Sequence, residues 1–198
     1  MALCACAKTN QPDAAQQALS FRQEMLAGDC SFQAEITADF GDTVSRFSLS
    51  CAHTQESGTT MTITAPETLA GLIAEAGGEE VKLVFEDTEA SFGTLSGLGL
   101  SPMAAPELMC RAWQSGYVQD SGMEEELAHV TYLCGYGEDE LRVDTWFQAG
   151  VPVRAELFCD GRMAVQIDVT DFILRKAETD NESTQTNLGR YLAGQSGA

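Results

Sequence analysis

Between residues 130 and 169 the chain alternates apolar and polar residues with period two, four times over, with only short loops between the runs. Val130, Tyr132, Cys134 and Tyr136 form the first run, and Leu141, Val143, Thr145 and Phe147 the second. Val153, Ala155, Leu157 and Cys159 follow, then Met163, Val165, Ile167 and Val169. Side chains of a strand point alternately to its two faces, so this pattern demands four antiparallel strands with one face buried. Matching the apolar faces pairs Cys134 with Val143, Val143 with Leu157, and Leu157 with Val165. Arg142, Asp144, Arg154, Glu156, Gln166 and Asp168 then face water. Cys134 and Cys159 stand two strands apart, too far to bridge.

The first half reads as a helix followed by more sheet. Asp13 to Gly28 has Pro12 and Asp13 at its start, helical spacing of Ala14, Ala18, Phe21 and Met25, and a glycine at its end. Phe32 to Phe40 then alternates, and Gly41-Asp42 suits a two-residue hairpin turn. That loop length places Ile36 opposite Phe47, Ala34 opposite Leu49 and Phe32 opposite Cys51, all on one face; a slip of one residue would break every match. Cys30 falls diagonal to Cys51. Met61, Ile63 and Ala65 continue as a third strand, Leu69 to Ala76 as one or two helical turns, and Val81, Leu83 and Phe85 as another strand. Glu86 to Ser91 turns into a short strand around Phe92. Gly93 to Leu100 reads as a Gly-rich linker without the Lys-Ser/Thr of a phosphate loop. A second helix runs from Pro102 or Pro106 to about Gln114, with Leu108, Met109, Ala112 and Trp113 as its stripe and Cys110 on its flank. The expected class is α+β: a curved antiparallel sheet of seven or more strands whose greasy face must be covered by the helices or kept around a cavity.

Charge narrows the function. Among 198 residues, 30 are Asp or Glu and 11 Lys or Arg, a formal charge of −19. Such an excess repels phosphate backbones, so no nucleic-acid partner is expected. No apolar run approaches the roughly 20 residues of a transmembrane helix. His53 and His129 have no nucleophile motif around them, neither G-x-S-x-G nor H-E-x-x-H occurs, and runs such as Glu124-Glu125-Glu126 read as solvated loops. Without CxxC or a Cys/His cluster, neither a metal nor any other cofactor is expected, and no enzyme activity. Cys30, Cys51, Cys110, Cys134 and Cys159 sit within apolar patterns and read as core thiols whose disulfide pairing, if any, stays open.

At the N-terminus, Leu3-Cys4-Ala5-Cys6 resembles the lipobox of bacterial lipoproteins, with Cys6 as the lipidated residue and the preceding signal peptide truncated. Lys8 to Pro12 reads as a tether. Residues 1–12 are thus expected to be signal remnant, lipobox and tether, 13–174 one domain, and 175–198 a polar tail. The expected place is outside the cytoplasm, held to the membrane through the N-terminal lipid alone.

The run Glu140-Leu141-Arg142-Val143-Asp144-Thr145-Trp146-Phe147, the turn and strand Gly150-Val151-Pro152-Val153-Arg154, the turn Asp160-Gly161 and the ending Asp171-Phe172 resemble the C-terminal meander of the LolA-like lipoprotein family. The order helix, hairpins, helix, meander is similar too. The resemblance implies an unclosed β-barrel whose helices lie in the concave face and close a cavity for a hydrophobic molecule, an acyl chain or lipid. Its lining here would be Phe32, Ile36, Phe47, Met61, Ile63, Leu83, Phe85, Met109, Trp113, Val143, Leu157, Val165 and Ile167. A second reading fills the same face with side chains and leaves an interaction lipoprotein that binds an envelope or sporulation protein. The space between sheet and helix separates the two.

Overall fold

A computed structural model of the chain describes residues 13–39, 43–77, 80–85, 88–93, 95–96, 99–137 and 140–176. Cys6, the Gly41-Asp42 turn and the polar tail beyond Lys176 lie outside them, as does the Glu86 to Asp87 part of the next turn.

Helix α1 (Ala14–Ala27) starts where Asp13 accepts a hydrogen bond from the Gln16 amide at 2.8 Å, satisfying one of the free donors of the first turn. It buries Ala14, Ala18, Phe21 and Met25, the four residues the spacing selects. Gly28 ends it differently from expectation. Its backbone is extended, and it opens β1 (Gly28–Asp39) so close to the last strand that a Cβ there would stand 2.1 Å from the Arg175 carbonyl oxygen. The need is for proximity, not for a left-handed cap.

Strands β1, β2 (Val44–Thr54) and β3 (Gly58–Ala65) follow, and Phe32, Ala34 and Ile36 face Cys51, Leu49 and Phe47 as the hairpin register requires. Next come β4 (Ile73–Gly77), β5 (Glu80–Phe85), β6 (Thr88–Gly93) and the short pair β7 (Leu95–Ser96) and β8 (Gly99–Leu100). Helix α2 (Ala105–Ser115) leads into β9 (Tyr117–Glu124), β10 (Leu127–Cys134), β11 (Leu141–Gln148), β12 (Val151–Cys159) and β13 (Arg162–Lys176). Among the described residues, eleven strands make one sheet in the order β6-β5-β4-β3-β2-β1-β13-β12-β11-β10-β9, every described pairing antiparallel. The first and last strands of this order are not paired with each other, so the sheet is an unclosed barrel. β1 and β13 join its two meanders along their length, from Gly28 opposite Lys176 to Ala38 opposite Val165.

Several expectations need correction. The expected helical turns over 69–76 are not there: one 3-10 turn, Glu67–Leu69, ends at Leu69 and precedes β4, in which Ala74 and Ala76 point inward. The Gly-rich linker carries the β7–β8 ladder and ends on buried Leu100. Cys134 faces Leu141, and Val143 faces Tyr132, two residues from the expected register, whereas Val143–Leu157 and Leu157–Val165 pair as read. A slip of two keeps every side chain on its own face, so apolar matching does not detect it. A bulge between Leu157 and Phe158 in the β12–β13 pairing takes Met163 out of phase, and it is exposed. Asp144 does not face water. It is buried and accepts a hydrogen bond from the Thr131 hydroxyl at 2.8 Å.

Candidate functional site

The concave face is the candidate site, and register shows how its two rows are built. Phe32, Cys51, Met61, Ala74 and Leu83 are successive partners across β1 to β5, and so are Cys30, His53, Thr59, Ala76 and Val81. Both helices dock here. α2 turns Met109, Ala112 and Trp113 inward, and Cys110 as well, which is fully buried rather than flanking.

At the centre stands an aromatic cluster. Trp113 meets Phe21 edge-on at 5.3 Å between ring centroids and Phe172 at 6.0 Å; Phe21 meets Phe147 at 5.1 Å, and Phe32 stacks on Phe172 at 6.0 Å. The Trp113 indole N–H donates to the Thr145 hydroxyl at 3.0 Å, which satisfies its one polar atom in the interior. Arg22 of α1 donates to the main-chain carbonyls of Trp113 (3.0 Å) and Gly116, tying α1 to the end of α2. Those carbonyls have no partner further along the helix, so the guanidinium caps them.

A polar seam runs beside the cluster. Glu107 and Gln114 lie seven residues apart on α2 and reach the same histidine. The Thr59 hydroxyl donates to Glu107 Oε2 at 2.7 Å, His53 Nδ1 lies 2.9 Å from Thr59 Oγ1 and 3.3 Å from Glu107 Oε2, and Gln114 Nε2 lies 2.9 Å from His53 Nε2. With hydrogen on Nδ1 every donor finds an acceptor. His53, Thr59 and Glu107 are all buried, so the seam holds α2 in one position on the sheet and offers nothing to a substrate. Burial pushes the thiols of Cys51 and Cys110 and the phenol of Tyr132 up, which removes nucleophilic character from this interior.

The thirteen residues selected from the sequence occupy this face unequally. Ile36, Met61, Met109, Trp113, Val143, Leu157 and Ile167 expose 0% of their surface, and Phe32, Ile63 and Val165 are buried too. A side chain with no accessible surface borders neither solvent nor an enclosed void wide enough for water, so the part of the barrel under α2 is packed solid. Phe47 and Leu83 are half-buried, together with Leu69 and Leu72. The side chain of Phe85 is not among those described. Phe47 near the start of β2, Leu69 and Leu72 before β4 and Leu83 late in β5 lie at one edge of the sheet, where the antiparallel register brings these strand ends together. Among the thirteen, Phe47 and Leu83 are thus the two described side chains that keep partial exposure, both on the β2–β5 part of the sheet.

Two grooves of about 480 and 530 Å³ flank α1. One is lined by Gln23, Glu24, Leu174 and Arg175, the other by Gln17, Phe21, Ala149 and Val151, and both are open to solvent. On the convex face His129 stacks on Trp146 at 4.4 Å, and Glu124 takes hydrogen bonds from both rings, which fastens edge strand β9. Among the described residues no group of acidic, histidine or cysteine side chains could hold a metal ion. No described helix is long and apolar enough to cross a membrane.

The residues that sequence reading passed over are Arg22, Thr59, Glu107 and Gln114. Parity carries a signal for Thr59 and for its partner His53: His53 is in phase with Leu49 and Cys51, and Thr59 with Met61 and Ile63, so both had to point inward. Glu107, three before Cys110 and seven before Gln114, shares their helix face.

These features define a half-barrel α+β protein: a curved, unclosed antiparallel sheet with two helices in its concave face. The chain is similar to a LolA superfamily protein from Nitrosomonas europaea, at 10% identity and a TM-score of 0.46, over 81% of this chain and 94% of that one. It is also similar to a putative outer membrane lipoprotein-sorting protein domain from Vibrio parahaemolyticus, at 11% identity and 0.46, over 88% and 98%. The lipoprotein LppX of Mycobacterium tuberculosis aligns at 11% identity and 0.39, over 83% and 96%. The likeness is one of fold, and at these values nothing about ligand or partner passes from those proteins to this chain. No protein-family model matches the chain, and no curated protein does.

Proposed function

We propose that this is an extracytoplasmic lipoprotein, anchored through Cys6, whose half-barrel binds an acyl chain or similar hydrophobic molecule. The entry is the corner formed by Phe47, Leu69, Leu72 and Leu83. One observation carries the reading: Met61, Met109 and Trp113 are sealed in the interior, whereas Phe47, Leu69, Leu72 and Leu83, which pack against the same core, keep partial exposure. An acyl chain gains roughly 0.8 kcal/mol per methylene buried, so a few carbons inserted there give measurable binding. The aromatic cluster limits depth, since Trp113 and Phe32 stand across the route to the far strands.

The test is titration of the full chain with a fluorescent long-chain fatty acid. Saturable binding is expected, weakened tenfold or more by Leu72→Asp and Leu83→Asp and unchanged by Leu26→Asp on the exposed side of α1. Equal affinity in all four proteins would refute the corner. Anchoring has its own test: Cys6→Ala in a full-length precursor should release the protein into the medium, and unchanged membrane association would overturn the anchor.

The filled interior favours a second reading, in which the barrel is a rigid support and a partner protein binds its surface. Under it, no probe binds saturably.

A further inference from the structure

Three cysteines converge where α2 meets the sheet, and the polar seam locates them independently of the thiols themselves. Cys30 is the cross-strand partner of His53. His53 is held by Glu107 on one side and Gln114 on the other. Cys110 lies between those two residues on the same face of α2, three positions after Glu107 and four before Gln114, so the helix sets it down over the Cys30–His53 pair. Burial above all, and after it the neighbouring Cys30, Glu107 and Cys51, hold the Cys110 thiol well above its ordinary range, which places the three sulfurs near one another. All three are buried.

We propose that Cys30 and Cys110 form a disulfide that staples α2 to β1, leaving Cys51 as a buried thiol. The inference rests on the extracytoplasmic placement above, where disulfides form and persist. The bond is made by exchange with the disulfide of a thiol oxidase. One cysteine, as thiolate, attacks a sulfur of that disulfide and displaces the other sulfur as a thiolate; the second then attacks the mixed disulfide and releases the oxidase dithiol. Two thiol protons and two electrons leave this chain, and the oxidase disulfide takes up both electrons.

Burial sets the timing. With both sulfurs sealed, no oxidant reaches them once α2 has docked, so the bond is made while the chain folds and is protected afterwards. The link closes a loop of some 80 residues that contains β1 to β8, which restricts the unfolded chain strongly. Cys51, one row further along the sheet, belongs to the Phe32–Met61 row and is left over.

The full chain, refolded in a mixture of oxidised and reduced glutathione, should be denatured, its thiols blocked with N-ethylmaleimide, and its peptides mapped by mass spectrometry without reductant. Expected is one cross-linked peptide pair joining Cys30 to Cys110, with Cys51 blocked. Oxidised protein should melt roughly 5–10 °C above its reduced form. Cys51→Ala should keep that difference, and Cys110→Ala should remove it. Blocked Cys30 and Cys110, or a bond from either to Cys51, would overturn the proposal, and neither result needs a variant that folds. The map reads a bond and the fatty-acid titration reads a ligand, so each inference fails separately.

Discussion

Leu157 shows what a single position contributes. It sits in the middle of the meander between Val143 and Val165, and none of its surface is accessible. Truncation there removes contacts on every side and leaves a void that the surrounding sheet cannot collapse into. Leu157→Ala should cost about 2–5 kcal/mol in urea unfolding. Leu157→Trp should unfold the protein or strongly destabilise it, because no space exists for the larger ring. Tolerance of both would mean that the interior is hollow there. At this scale the sequence was readable wherever parity and polarity agreed, as at Leu157 itself. It was unreadable where they conflict, as at His53, Thr59, Asp144 and Glu107. Those four are polar residues at inward or covered positions, and each is acceptable only because a partner from another element satisfies it. Such partners are set by tertiary structure, which no local pattern contains.

Among the elements, the β1–β2 hairpin and the meander β11–β13 were legible because one face is apolar throughout. β9 was not, since its residues are exposed on both sides and it is held by the His129–Trp146–Glu124 cluster. β4 hid behind small residues: Ala74 and Ala76 fit a helix as well as a strand, and only pairing on both sides by β3 and β5 decides it. The junction of α1 and β1 depends on a glycine for a reason that spacing does not display. Gly28→Ala would press a methyl group against the Arg175 carbonyl, and the two central strands would have to part locally. We expect a loss of stability on the order of 1–3 kcal/mol, measured by urea unfolding, with faster hydrogen exchange at Leu174 to Lys176 than at Val165 to Val169. Unchanged exchange in that segment would show that the close approach is not what the glycine serves.

At the scale of the whole molecule, the half-barrel divides into a packed half and an open corner. Helices α1 and α2, the aromatic cluster and the buried seam make the first rigid. Phe47, Leu69, Leu72 and Leu83 leave the second with apolar surface that water covers poorly. The expected architecture, an unclosed barrel with helices in its concave face, is the one observed. The expected lining is not uniform: ten of the thirteen selected residues are buried, while Phe47 and Leu83 keep partial exposure. Volume is a property of the assembled fold, and periodicity carries no measure of it. We propose that a hydrophobic molecule sits against Phe47, Leu69, Leu72 and Leu83. Native mass spectrometry of the protein extracted from its own membrane tests it most directly. Expected is a species heavier than the anchored chain by the mass of one lipid, lost when Leu83→Asp is extracted in the same way. Bare chain alone in the wild type, under conditions that keep other lipid complexes intact, would contradict it.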